Sequence, residues 1–157
     1  MILQTFRVLT LCLVLACAGD ASAQITLPGV PGARTVSAAE AHVALTQGAI
    51  ALDLRRLDAF QKARLPQARA AWLAYDRAGR RFDASAFAIE HNAPIIFYHD
   101  GPDGLMAYRA VSAAVAAGHS NVMWLRGGLA EWAGNGLPTE TGPGPARAAS
   151  ARQALND

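Results

Sequence analysis

The sequence predicts an α/β domain: a parallel sheet with helices on both faces. Three observations carry this. Short apolar runs without polar alternation occur at residues 49–54, 94–98 and 121–125, the pattern of strands covered on both sides. Helical stretches separate them, most clearly 105–117, where Ala107, Val111, Ala114, Val115 and Gly118 form one apolar stripe of small residues. Strand and helix alternate along the chain, as in βαβ units. At 157 residues the chain is long enough for one domain with its own core.

Each element follows from local chemistry. Residues 24–34 hold two Pro and two Gly and read as an extended lead-in. Ser37-Ala38-Ala39-Glu40 is a capping box that starts a helix running to Thr46, with Gly48 placed for the left-handed turn after it. "AIALDL" is a strand ending near Asp53. Leu57–Ala63 is a short helix, stopped before Pro66. "ARAAWLA" at 68–74 is a weaker strand. Residues 75–81 form a polar loop, and Asp83 caps a helix to about Glu90. Residues 94–98 form a strand, followed by a Gly/Asp loop, the 105–117 helix and the strand at 121–125. The helix at 128–134 closes the domain before Gly136-Leu137-Pro138. His119, just beyond a helix end, is expected as a cationic partner of the helix dipole. Trp124 and Trp132 are expected in the core.

The N-terminus reads as an export signal. Arg7 precedes the apolar run Val8–Ala18, which is too short to span a bilayer, and Ala21-Ser22-Ala23 is a small-x-small cleavage site. Cleavage there leaves a chain beginning at Gln24 with no transmembrane span. The alternatives are a retained N-terminal helix or lipid anchoring through Cys17, since Val14-Leu15-Ala16-Cys17 loosely fits a lipobox. The sequence has two cysteines, Cys12 and Cys17, both within the signal segment. The expected mature chain therefore has no disulfide, thiolate nucleophile or Cys-ligated metal. The organisation is thus signal 1–23, lead-in 24–34, folded domain 35–140 and a disordered Ala/Arg/Gly/Pro-rich tail 141–157. The net charge of +2, with no basic run, argues against nucleic acid.

Ligands on such sheets bind beyond the carboxyl ends of the strands. That puts Asp53 and Arg55, the loop His99-Asp100-Gly101-Pro102-Asp103-Gly104, and Arg126-Gly127-Gly128 on one rim.

The order of segments resembles a rhodanese homology domain. "VSAAEAHVALTQGAIALDLRRLDAF" is similar to the family's opening, with Asp53, Arg55 and Phe60 in its strand-Asp-x-Arg-aromatic pattern. "ARLPQA" keeps Pro66 and Ala68 of the next motif. "NVMWLRGGLAEWAGNGLP" is similar to the closing strand, Gly-Gly turn, Trp helix and Leu-Pro. The likeness spans Val36 to Thr139 and implies a rhodanese-like single domain with a central parallel five-stranded sheet. "PGARTVS", "DGLMAYRA" and the export signal also resemble a secreted Cys-x-x-Cys-Trp subgroup associated with PQQ-dependent alcohol catabolism.

The departure is at the centre. The family places its sulfur-carrying cysteine directly after the central strand, and here that residue is His99. The subgroup's second Cys and its Trp are replaced by Gly104 and Leu105. A sulfurtransferase loop uses backbone amides and a helix N-terminus to hold a thiolate and an anionic substrate. Asp100 and Asp103 put negative charge there instead.

His99 is therefore either a rim histidine filling the old cysteine position or a ligand-contacting or general-base group. With Asp100 and Asp103 it offers three candidate metal donors within five residues, a weak set; the two acids are expected as turn formers and helix caps. Asp53 and Arg55 are expected to orient the rim by an ion pair. Arg126 is expected in solvent, or as an anion contact. Gly127 and Gly128 fit a tight turn, and Arg109, on the helix that follows the loop, is expected with His99, Asp100, Gly101, Asp103, Gly104, Asp53, Arg55 and Arg126 on a ligand- or partner-binding rim. No motif calls for a cofactor or metal. The expected role is a non-catalytic binding or accessory module of the periplasm with a protein partner. The alternatives are an active sulfurtransferase-type or His-dependent enzyme, and a structural partner of a quinoprotein dehydrogenase system.

Overall fold

The structure, a computed structural model, describes residues 28–72 and 88–145. The export segment, the 75–81 loop, most of the helix expected from Asp83, and the far C-terminus lie outside the described residues.

Among the described residues nine elements follow in order: β1 (Ala33–Val36), α1 (Ala38–Thr46), β2 (Ile50–Asp53), α2 (Leu57–Lys62), β3 (Arg69–Ala70), β4 (Ile95–Tyr98), α3 (Leu105–Ala116), β5 (Val122–Leu125) and α4 (Gly128–Gly134). The five strands form one parallel sheet in the order β1-β5-β4-β2-β3. Within 68–72, the described part of the weak strand expected at 68–74, two residues are in strand. β1 is an addition to the extended lead-in: it pairs with β5, Val36 beside Leu125.

Both sheet faces are covered. On one, Leu52, Ile95, Phe97, Val122 and Trp124 pack against Ala107, Ala110, Val111 and Ala114 of α3. The alanines let the helix approach the sheet closely. On the other, Ala51, Ile96, Tyr98, Met123 and Leu125 meet Ala38 and Ala41 of α1, Phe60 of α2 and Trp132 of α4. Adjacent residues of β4 face opposite ways and all are buried, which is why the run carries no polar alternation.

The Ser37–Glu40 capping box is formed, and Gly48 turns the chain at a φ of 93°. His119 departs from its expected role. Its ring is buried and stacks on His91 with 4.9 Å between centroids. Burial first, then the neighbouring His91, pushes its pKa down, against a hydrogen bond to the Glu90 backbone that works the other way. A neutral ring thus stands where a dipole-paired cation was expected.

Two long-range ties join the helices of one face. Glu131 Oε1 accepts from the Ala38 amide at 2.8 Å, satisfying an amide that a helix start leaves without an internal partner. The chain then continues past Pro138 onto α2: Glu140 and Arg64 exchange backbone hydrogen bonds, and the Gly142 amide donates to Gln61. The first residues of the segment expected as a tail are thus held against the domain.

The Glu131 contact yields a stability prediction. Glu131→Ala leaves the amide of the buried Ala38 without an acceptor and lowers the unfolding free energy by about 1–2 kcal/mol. Glu131→Gln, whose side-chain carbonyl still accepts, loses less. Urea unfolding of the two variants checks this, and equal losses would contradict it.

Candidate functional site

The strand register builds the rim. Asp53 lies beside Tyr98, and Tyr98 beside Leu125, so β2, β4 and β5 end level. The segments that follow them therefore meet at one edge. The His99 and Asp100 carbonyls accept from the Leu129 and Ala130 amides at 2.9 Å, tying the loop to α4. Gly128 makes this approach possible. Its φ is 59°, and a Cβ there would lie 2.2 Å from the His99 carbonyl oxygen.

Beneath the rim lies a buried polar network. Asp53 is fully buried and Arg55 is 3 % exposed. Asp53 Oδ2 accepts from Arg55 Nη2 at 2.7 Å and from the Tyr98 hydroxyl at 2.6 Å. Asp53 Oδ1 accepts from Arg55 Nε at 3.0 Å and from the Arg55 amide at 2.9 Å. The Tyr98 hydroxyl in turn accepts from the Leu65 amide at 3.2 Å. Arg55 also donates through Nη2 to the Ala63 carbonyl and through Nη1 to Asp100 at 3.4 Å.

The energetics follow from burial. Burial alone would push the Arg55 pKa down; the hydrogen bond and charge of Asp53, with Tyr98 and Asp100, more than offset it and raise it, so the guanidinium stays charged. Burial and then the charge and hydrogen bond of Asp53 push the Tyr98 phenol well above its ordinary range, so it stays protonated and donates. Leu65 and Arg55 work weakly the other way. The expected ion pair is present, and it consumes Arg55: every donor named here points inward or along the rim.

What remains at the surface is small. His99 is about a quarter exposed, its Nδ1 3.7 Å from Asp100 Oδ2, which is 67 % exposed. That separation is too long for a hydrogen bond. Gly104 packs under His99, where a Cβ would meet the His99 Cβ at 2.8 Å. Gly104 is also the residue that caps α3, with no side-chain hydrogen bond, so the expected capping by Asp100 or Asp103 is absent. The Gly104 amide donates instead to the Gly101 carbonyl and the Leu105 amide to the Asp103 carbonyl, at 3.2 and 2.8 Å. Two amides that would face an anion are thus turned onto their own loop.

Not every expected residue joins the cluster. The side chains of Asp103 and Arg109 are exposed and make no ion pair among the described residues. Arg126 is half-buried, not free in solvent as expected, and stacks over the Trp124 ring at 5.4 Å. No group of three or more metal-ligating side chains occurs among the described residues. Sequence reasoning did not single out Tyr98, Ala63 or Leu65. The one available signal for Tyr98 was a hydroxyl on a strand predicted to be buried on both faces, which needs a partner.

The Tyr98 hydroxyl sets a pH test. Its raised pKa means the stability it confers is present below the ordinary tyrosine value of about 10 and is lost as pH rises above it. Wild type should lose more unfolding free energy between pH 8 and pH 11 than Tyr98→Phe does. At pH 8 the variant is less stable by about 1–3 kcal/mol, because the Leu65 amide is left buried without a partner. Parallel losses in the two proteins would refute the assignment.

Comparison with known proteins agrees with this architecture. The Rhodanese-like domain family matches residues 37–135. None of the curated proteins matches the sequence. Among solved structures, the Alr3790 protein of Anabaena sp. is 27 % identical, with a TM-score of 0.55, over 77 % of this chain and 90 % of that one. The solution structure of its rhodanese-like domain is 26 % identical, with a TM-score of 0.55, over 68 % and 78 %. The BH2092 protein of Bacillus halodurans, 18 % identical with a TM-score of 0.56 over 69 % and 77 %, shares the fold. With the family matched over well over half of its 157 residues, the chain belongs to the rhodanese-like domain family.

Proposed function

We propose that this is an exported rhodanese-like domain that does not transfer sulfur and serves in the periplasm as a binding or accessory module. The observation that carries the reading is the content of the loop after β4. His99 stands where the family resemblance expects the sulfur-carrying cysteine, beside Asp100, and the first amides of α3 close on the loop's own carbonyls. Such a loop has no thiol nucleophile, and two of the amides that would face an anion are withdrawn from it. Its neighbours offer a rim of mixed polarity: exposed Asp100 and Asp103, exposed Leu105, and Arg126 held on Trp124. A protein segment suits this surface better than a small anion. The likeness to the secreted subgroup supports a partner within a quinone-cofactor dehydrogenase system.

A His-dependent hydrolase is less well supported. Asp100 is shared with Arg55, and its carboxylate lies too far from His99 to orient the imidazole by a direct bond.

Export is supported by the signal-like N-terminus. Among the described residues no helix is long and apolar enough to cross a membrane. Intact mass of the protein recovered from its native envelope should correspond to a chain starting at Gln24. A lipidated chain starting at Cys17 would move the module to a membrane surface and refute the soluble form.

Sulfur transfer is tested directly. The purified protein should show no transfer from thiosulfate to cyanide above a no-enzyme blank. His99→Cys, in a chain with Cys12 and Cys17 changed to Ser, should not restore it. A thiol there gains from the α3 N-terminus but faces the Asp100 carboxylate, so its alkylation by iodoacetamide should titrate at or above the reference value of about 8.5. Titration well below that value would show a working cradle and defeat the non-catalytic reading.

A further inference from the structure

We propose that residues 138–144 form a releasable strap that positions the Arg55–Tyr98 network beneath the rim. This inference is independent of what the rim binds. The strap leaves α4 at Pro138, whose carbonyl accepts from Trp132 Nε1 at 2.8 Å. It then lies along α2 and the turn behind it. Glu140 and Arg64 donate to each other's carbonyls at 2.9 Å, and the Gly142 amide donates to Gln61 at 2.8 Å. Arg64 Nη1 donates to the Gly142 carbonyl at 2.7 Å, and Nη2 lies 3.3 Å from Glu140 Oε2. Gly144 covers the Phe60 ring; a Cβ there would lie 2.7 Å from it.

The turn under the strap is the turn that completes the network. Arg64 sits between Ala63, whose carbonyl accepts from Arg55, and Leu65, whose amide donates to Tyr98. The strap fixes the backbone of the middle residue on both its amide and its carbonyl. The two flanking groups that reach the network are thereby fixed as well.

Release is made easy by what the strap covers. Its sequence from Thr139 to Gly144 brings no large apolar side chain, and Thr139, Thr141 and Pro143 are exposed. Beneath it, Arg64 is 4 % exposed, lies 4.8 Å over the Phe60 ring, and keeps a buried Nε with no partner. Lifting the strap returns that cation to water, so the loss of contacts is partly compensated by hydration. A segment held mainly by polar contacts over a buried cation opens before the core does. When it opens, the 63–65 turn loosens, and Arg55 and Tyr98 each lose a fixed partner.

Gly142→Pro in the full chain tests this. Proline removes the amide given to Gln61, and Gly142 has a φ of 87° that proline cannot adopt. Hydrogen exchange followed by NMR is the readout. The Leu65 amide and the Arg55 Nη2 protons should exchange at least tenfold faster, while amides of β4 and β5 stay within about twofold of wild type. Arg64→Met, which keeps the backbone pairing but removes the guanidinium, should give the same pattern at smaller size. Unchanged exchange at Leu65 and Arg55 would overturn the proposal. So would a uniform rise across the sheet, or failure of Gly142→Pro to fold, since the strap would then be part of one cooperative core.

Discussion

A carboxylate with no access to water governs this domain. Asp53 is fully buried at the end of β2, and such a charge is tolerated only when it is matched by a cation and hydrogen bonds. Arg55 supplies the charge from two residues away, a spacing that lets its side chain curl back across the strand end. Tyr98 supplies a phenolic donor from the neighbouring strand. Each partner then makes its own demand: Arg55 needs the Ala63 carbonyl, and Tyr98 is met by the Leu65 amide. The path of the chain from β2 to β3 is in this sense dictated by one acid.

The same demand shapes the rim's chemistry. Arg55 is spent internally, and Arg126, further out on the rim, lies over the Trp124 ring. Among the described residues, the acidic loop between β4 and α3 has one arginine as an ion-pair partner, Arg55, through Asp100.

The parts of the fold legible in the sequence are those whose cause is local. Ser37 and Glu40 cap a helix three residues apart, and α3 shows its buried face as a stripe of small residues. The Asp53–Arg55 pair was legible for the same reason. What escaped was set by distance. β1 buries one residue of its four, Val36, and follows Pro and Gly, so its sequence reads as a lead-in; only pairing with β5 makes it a strand. Tyr98 becomes a partner of Asp53 through strand register, and Glu131 reaches Ala38 from 93 residues away. The His119 expectation departed from the structure because a ring near a helix end was judged by the helix alone, while burial, with the stacked His91 second, pushes its pKa down.

The edges of the sheet give the domain a further property. Among the described residues, β1 closes one side with Arg34 exposed and its guanidinium on the Met123 sulfur at 3.2 Å; β3 closes the other with two residues, one of them the exposed Arg69. A strand from a second copy adding to either side would have to find room beside an arginine, and at β3 would gain almost no backbone pairing. Short, cationic borders of this kind resist the edge-to-edge stacking that open sheets invite. Among the described residues, the sides of the sheet thus discourage ribbon-like self-association, while the rim at the strand ends carries no such guard.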